Sequence, residues 1–307
     1  MLKKSMFFLF LFFIITQTAF GLEDEGITTE NMISNNQIPV LMYHHILPEN
    51  QRAALPYNAA IISFESFKEQ MGWLHQQGWK ALTLEELSKS LSNEDPLPEK
   101  SFVITFDDGY ASNLFFAFPT LNRYNFPAAE FIITANLEEE IRKWDGKKLS
   151  WKDVKAISKL FSIQSHSHTF HQQQDDKPML TVKTQEEIQE DLDFAWAEID
   201  RHIEPGFRAF AYPYGVASQA AIDVLKNQDV QLAFTTKTGY VTKESDPLLL
   251  PRFSITPSVS VEDFQSIFQS KPIEDPTLVP RPDDQNDEKP EQDFGISSTD
   301  NKQLEVE

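Results

Sequence analysis

The apolar run Phe102-Val103-Ile104-Thr105-Phe106 ends on Asp107-Asp108-Gly109-Tyr110, so two adjacent carboxylates stand where a buried strand should stop. Like charges in that position resist joint burial unless a cation or hydrogen-bond donors compensate. Neighbouring side chains on extended backbone point in different directions, so one acid can bind a metal while the other accepts a proton. Gly109 permits a sharp turn and a close backbone approach just beyond them. An Asx-type turn made by Asp108 is the plainer alternative.

A second cluster, Gln164-Ser165-His166-Ser167-His168-Thr169-Phe170-His171, places three of the seven histidines within six positions. One or two imidazoles with a carboxylate suit zinc or another divalent transition metal. Five residues separate His166 from His171, which suits one regular strand poorly, so a bulging loop must bring both to one ion. An ordinary surface loop, with its serines and threonine making turn hydrogen bonds, accounts for the same residues. Arg208 precedes the run Ala209-Phe210-Ala211-Tyr212, and Pro213-Tyr214-Gly215 follows it. A guanidinium can hold a carboxylate at two points and limit its rotation and basicity, although a surface ion pair is the commoner use. Tyr212, Tyr214, Phe170 and Trp151 offer rings for sugar stacking or simply for packing.

Tyr43-His44-His45-Ile46 ends another apolar run, and only one of its two imidazoles can share the face of a site. No histidine follows His202, so an imidazole needed beyond the 166–171 loop must come from this early pair. The chain has no cysteine, which excludes thiolate catalysis, and it lacks both a Gly-x-Ser-x-Gly elbow and a Gly-x-Gly-x-x-Gly nucleotide loop. Metal-assisted hydrolysis is the best remaining enzyme class.

These groups need elements to place them. Strands are expected at 38–43, 102–106, 129–133, 161–163, 209–212, 232–234 and 253–255, several of them apolar on both faces as strands covered by helices must be. Helical patterns alternate with them. Phe67, Met71 and Leu74 recur on one face after Ser63, Thr83 can cap the turns from Leu84 to Leu91, and Ile188, Leu192, Ala195 and Ile199 form the longest stripe. Ser260-Val261-Glu262-Asp263 reads as a capping box before Phe264, Ile267 and Phe268. Such alternation predicts a largely parallel β/α architecture, barrel or open sheet, in which catalytic groups gather at the carboxyl edge of the strands.

In that order, Thr105-Phe106-Asp107-Asp108-Gly109-Tyr110, the 166–171 segment and Arg208 through Gly215 resemble the polysaccharide deacetylase, or NodB-homology, family, carbohydrate esterase family four. With Val40-Leu41-Met42-Tyr43-His44-His45-Ile46 they are most similar to the branch that removes N-acetyl groups from poly-β-1,6-N-acetylglucosamine. The resemblance spans most of 37–256 and implies a distorted (β/α) barrel of about seven strands with a rearranged strand order. It implies Asp107 as catalytic base, Asp108, His166 and His171 as ligands of one divalent metal, and Arg208 as support for the base. Zinc is the first expectation for that metal, with cobalt, nickel or manganese as alternatives. The wider family separates its two histidines by four residues, whereas this branch allows the five found here. The family's usual late histidine is absent, which directs the general-acid role to His44, with His45 as its neighbour and rival. Tyr110, Tyr212 and Tyr214 are the expected oxyanion or substrate contacts. Two other readings keep the same features: a peptidoglycan or chitooligosaccharide deacetylase with a different cleft, and a non-catalytic glycan-binding module.

The whole chain has 307 residues, 40% of them hydrophobic, with 25 phenylalanines, enough for one well-packed domain. Its formal charge of -20 makes attraction to nucleic acid or to an anionic membrane surface improbable. Lys3 and Lys4 precede the ten-residue apolar run Met6 to Ile15, and small residues follow at Ala19 and Gly21. That pattern predicts a signal peptide over 1–21, too short in its apolar part to span a bilayer, and hence a periplasmic or secreted protein. A polar, acidic lead-in is expected at 22–36, the deacetylase domain at 37–270, and a disordered acidic tail at 271–307 with four basic against eleven acidic residues. The partners this implies are an N-acetylglucosamine polysaccharide and exopolysaccharide export machinery, in a biofilm setting, with no stable membrane span after signal cleavage.

Overall fold

The computed structural model describes residues 37–55, 58–92, 100–137 and 147–269. The expected leader, lead-in and acidic tail lie outside the described residues.

All seven expected strands form. In chain order the described strands are β1 (Val40–Tyr43), β2 (His45–Leu47), β3 (Ile61–Ser63), β4 (Lys80–Ala81), β5 (Ser101–Asp107), β6 (Ala128–Ile132), β7 (Phe161–Ser165), β8 (Gln173–Gln174), β9 (Lys177–Pro178), β10 (Ala209–Ala211), β11 (Leu232–Phe234) and β12 (Phe253–Ser254). The main sheet runs β11-β10-β7-β6-β5-β1-β12, with β4 also paired to β5, and its ladders are parallel. The last strand therefore lies beside the first, which is the rearranged order that the resemblance implies. Leu250 makes a parallel bridge to Phe234 of β11, and three residues later Phe253 pairs with Leu41 of β1. The segment 250–254 thus joins the two edges of the sheet, and the distorted (β/α) barrel is the architecture observed. Short β2, β3 and β4 and the β8–β9 hairpin carry too few residues for alternation to show in the sequence.

Helices cover the outside because their apolar stripes need a surface to bury against. In chain order the described α-helices are α1 (Glu49–Arg52), α2 (Phe64–Gln76), α3 (Leu84–Leu91), α4 (Phe118–Tyr124), α5 (Trp151–Ile157), α6 (Met179–Val182), α7 (Gln185–His202), α8 (Gln219–Asn227) and α9 (Val261–Ser266). Ser63 caps α2, which buries Phe67, Met71 and Leu74. Capping boxes open α3 (Leu84–Leu91) at Thr83, α7 (Gln185–His202) at Thr184 and α9 (Val261–Ser266) at Ser260. The expected stripe of α7 is buried.

Alternation along each strand divides the core in two. Phe102, Ile104 and Phe106 face the layer between sheet and helices, whereas Val103 joins Val40, Ala129, Phe131, Ala209, Leu232 and Phe234 inside the barrel. Asp107 continues the inward-facing set, so its carboxylate enters the barrel interior at the carboxyl edge. Asp108 lies past the ladder with a left-handed φ of 75°, and Gly109 follows at φ 71°, so the chain turns sharply and sends the second carboxylate elsewhere.

Candidate active site

Asp107 is 2% exposed and meets a fully buried arginine, Arg252, in a two-point pair with N···O distances of 2.8 and 2.7 Å. The same guanidinium donates to the Thr105 hydroxyl at 3.1 Å and to the Thr235 carbonyl at 3.0 Å, so it ties β5 to the chain just past β11. Burial alone would push the Asp107 carboxyl up, but Arg252, His166 and His44 outweigh it and hold the group below the ordinary carboxylate range.

This corrects the expected partner of the base. Arg208 pairs instead with Asp200 at 2.8 Å, 30% exposed, and lies over the Trp196 ring at 5.0 Å. It precedes β10, so it sits at the amino edge of a parallel sheet, while Asp107 ends β5 at the opposite edge. Arg252 escaped the sequence reading because it falls beside Pro251 at the end of Leu248-Leu249-Leu250. Its only signal there was a lone charge in an apolar stretch leading into a strand.

Asp108 turns toward the histidine loop. Its Oδ1 is 3.5 Å from His166 Nε2 and 3.4 Å from His171 Nε2, and it is buried with no hydrogen-bond partner. One ligand atom from each of the three residues lies within 4.8 Å of the others. The His166 Nδ1 is 2.7 Å from the Ala211 carbonyl, so Nδ1 carries the proton and Nε2 offers its lone pair to the site. Burial pulls the His166 pKa down to about 4, which keeps that imidazole neutral at ordinary pH. Burial opposes ionisation of Asp108, but Lys148, His171, His44 and His166 together hold it well below the usual carboxylate range. An unpartnered buried carboxylate oxygen facing two neutral-capable imidazoles fits a divalent cation with three protein ligands and an open position.

Around this centre the structure places a rim. His44, half-buried at the end of β1, is close enough to both carboxylates to lower their pKa. His45 is turned away. Its Nδ1 is 2.7 Å from the Ser112 hydroxyl, its ring stacks on Tyr110 at 4.5 Å, and burial with the nearby Lys148 lowers its pKa to about 4. Lys148 lies 3.4 Å over the Tyr110 ring and 3.8 Å from Asp108 Oδ2. Sequence gave no sign of Lys148, since only tertiary pairing of 147–149 with 109–111 brings it here. In that pairing Leu149 N–H donates to Gly109 and Ala111 N–H to Lys147, each at 2.8 Å, so the intervening Tyr110 N–H turns away from the 147–149 segment.

Tyr214, at a left-handed φ of 58°, stacks on the His171 ring at 4.8 Å. Tyr212 does not reach the site: it is fully buried, and its hydroxyl donates to the Leu248 carbonyl at 3.0 Å. Its position within the core packing of the β10 end explains the difference from Tyr214, two residues on. Trp151 stacks on His202 at 4.1 Å, and Phe170 packs against the main core under Lys183.

Known proteins share this fold. Residues 94–233 match the family model described as polysaccharide deacetylase. The poly-β-1,6-N-acetyl-D-glucosamine N-deacetylase of Staphylococcus aureus is 28% identical over 199 residues, covering 64% of this chain and 68% of that protein. Among solved structures, the Streptococcus pyogenes deacetylase PplD in complex with acetate aligns with a TM-score of 0.66 and 25% identity, over 76% of this chain and 99% of that one. IcaB from Ammonifex degensii aligns at 0.65 and 28%, over 76% and 95%. With the barrel and the order of the motifs, these matches show that the chain carries a polysaccharide deacetylase domain, a hydrolase of amide bonds.

Proposed function

We propose that the protein removes N-acetyl groups from an N-acetylglucosamine polymer outside the cytoplasm, with poly-β-1,6-N-acetylglucosamine as the substrate. The observation that carries this reading is the buried, unpartnered Asp108 Oδ1 facing His166 and His171 beside the Arg252-held Asp107. Asp108, His166 and His171 would hold a divalent cation, zinc first, which would supply Lewis acidity toward water and the amide carbonyl. Asp107 accepts the proton that water gives up as it attacks the acetyl carbon. Arg252 holds both carboxylate oxygens of that base, which fixes its direction and keeps it ionised. The Tyr110 N–H, turned from its neighbouring segment, supports a role in stabilising negative charge on the carbonyl oxygen. His44 gives a proton to the nitrogen as the carbon–nitrogen bond breaks, leaving acetate and a sugar amine. His45 suits that role less well, since its Nδ1 is engaged by Ser112 and its face by Tyr110. Tyr214 offers a ring beside His171 for the sugar.

The β-1,6 linkage is supported by the five-residue histidine interval, by the placement of His44, and by the likeness to the Staphylococcus aureus poly-β-1,6-N-acetyl-D-glucosamine N-deacetylase. The basic, apolar start of the chain supports export to the periplasm or beyond, where polysaccharide export machinery would be the partner. Among the described residues no helix is long and apolar enough to cross a membrane. The test is kcat/KM for acetate release by the zinc-loaded protein from length-matched oligomers, with product mass confirming amide loss. Preference for β-1,6-linked over β-1,4-linked N-acetylglucosamine is expected. A β-1,4 preference would move the substrate to chitooligosaccharide or peptidoglycan, and no acetate from any oligomer would leave a binding module.

A further inference from the structure

The loop bearing the two histidine ligands is held from behind by one acid on α7. Asp191 is 5% exposed and lies in the buried stripe of that helix, among Ile188, Leu192 and Ala195, where an apolar residue would ordinarily pack. Its Oδ2 accepts the His168 N–H at 2.9 Å, and its Oδ1 accepts both the N–H and the hydroxyl of Thr169 at 2.7 Å. All three donors fall between His166 and His171.

The rest of the loop is tied on its other side. Ser167 takes a left-handed φ of 75°, its carbonyl accepts the Thr134 N–H at 3.2 Å, and the His168 carbonyl accepts the Ala135 N–H at 3.3 Å. Carbonyl groups thus go to the 134–135 turn and N–H groups to Asp191. His166 is fixed independently, through its N–H to the Ile132 carbonyl and its ring to Ala211. The orientation of His171 therefore depends on how residues 167–170 are folded. Its own ring touches Tyr214 and stands 3.4 Å from Asp108.

We propose that Asp191 is a positioning residue for the metal centre, folding the five-residue interval into the bulge that sets where His171 stands. The carboxylate is suited to this because buried N–H groups at 168 and 169 need an acceptor, and a charged acceptor binds them more strongly than a neutral one. A leucine there would fill the helix stripe but leave both donors unpaired. This inference rests on the metal-binding reading of Asp108, His166 and His171.

The test compares full-length wild type, Asp191→Ala, Asp191→Asn and Thr169→Val, each stripped and titrated with zinc and, separately, with cobalt. Loss of an outer partner of a metal ligand commonly costs about 10–100-fold in affinity. That loss is expected for Asp191→Ala, with a smaller one for Asp191→Asn, whose amide retains one acceptor oxygen but presents an N–H to a donor. Thr169→Val, which removes one donor of three, should fall nearest wild type. The visible spectrum of bound cobalt should change in the Asp191 variants, and saturating zinc should restore much of their kcat. A merely structural role would lower the unfolding midpoint and leave the zinc Kd of the folded protein and the cobalt spectrum as in wild type. Should Asp191→Ala fail to fold, Asp191→Asn carries the same reading. Zinc affinity within twofold of wild type in the folded Asp191 variants would overturn the proposal. Failure of wild type itself to bind either metal would overturn the metal centre, and this inference with it.

Discussion

Asp107 shares a buried two-point contact with Arg252, so deleting the arginine strands a carboxylate inside the barrel. Arg252→Met should cost about 3–5 kcal/mol of stability, the usual penalty for an orphaned partner of a buried ion pair. Arg208→Met removes a partly exposed pair with Asp200 and should cost below about 1 kcal/mol. Urea unfolding of both variants checks the contrast, and equal losses would mean that Arg252 does not compensate the buried acid. The two aspartates separate in a different measurement. Asp108→Ala should lose metal and activity together, because it removes the unpartnered oxygen facing both histidines. Asp107→Asn should keep stoichiometric zinc yet lower turnover by about 10²-fold or more, as loss of a positioned base does. Elemental analysis and acetate release on the same preparations decide it, and near-wild-type turnover in Asp107→Asn would take the base role from that residue.

On β6 an acid lies in the layer that should be apolar. Glu130 is fully buried, and the Asn113 side chain, in the first turn of a π-helical segment at 113–117, donates to both its oxygens at 3.0 and 3.1 Å. Burial pushes its carboxyl well above the ordinary value, Asn113 offsets this in part, and the charges of Asp107 and Asp108 push it further up. The folded form therefore holds a proton that the unfolded chain releases above its ordinary carboxyl range. As pH rises from there toward the folded pKa, the native state binds more protons than the unfolded one, so stability falls by roughly 1 kcal/mol per pH unit. Glu130→Gln replaces the neutral acid by a neutral near-isostere and removes that slope. The stability of wild type relative to Glu130→Gln should decline steadily from about pH 5 upward, measured by denaturant midpoints. A constant difference between the two across pH would show that Glu130 is ionised in the folded state or exposed to solvent.

The whole molecule carries a formal charge of -20, while deacetylation turns a neutral polymer into a cationic one. Product and partly processed substrate are therefore drawn to the protein by a field that reaches beyond the cleft. KM for a partly deacetylated polymer should rise between about 20 mM and 300 mM salt, whereas KM for short, fully acetylated oligomers should change little, because salt screens only the charged case. Equal salt dependence for both substrates would show that long-range charge plays no part in binding. Linkage preference is a separate matter, which long-range charge does not set.

What the sequence determined by itself was local or periodic. All seven strands of the main path were legible because they are short apolar runs bounded by turns, several of them apolar on both faces, and Ser63, Thr83 and Ser260 cap helices through side chains three residues from their partners. Asp107 and Asp108 were separable because alternation along a strand is a property of the backbone. The histidine loop and the early histidine pair were legible as clusters. Closure of the sheet was not, since it depends on Leu250 meeting Phe234 while Phe253 meets Leu41. That closure carries Arg252 to Asp107 across 145 positions of chain, and it leaves Arg208 at the far edge with Asp200. Lys148, Asp191 and Glu130 were likewise invisible, because each is an ordinary charged residue in its own segment. Only packing of that segment against another brought its side chain to the site or close to it. Periodicity reports which face of an element is buried, and tertiary structure decides which groups from distant elements share that burial.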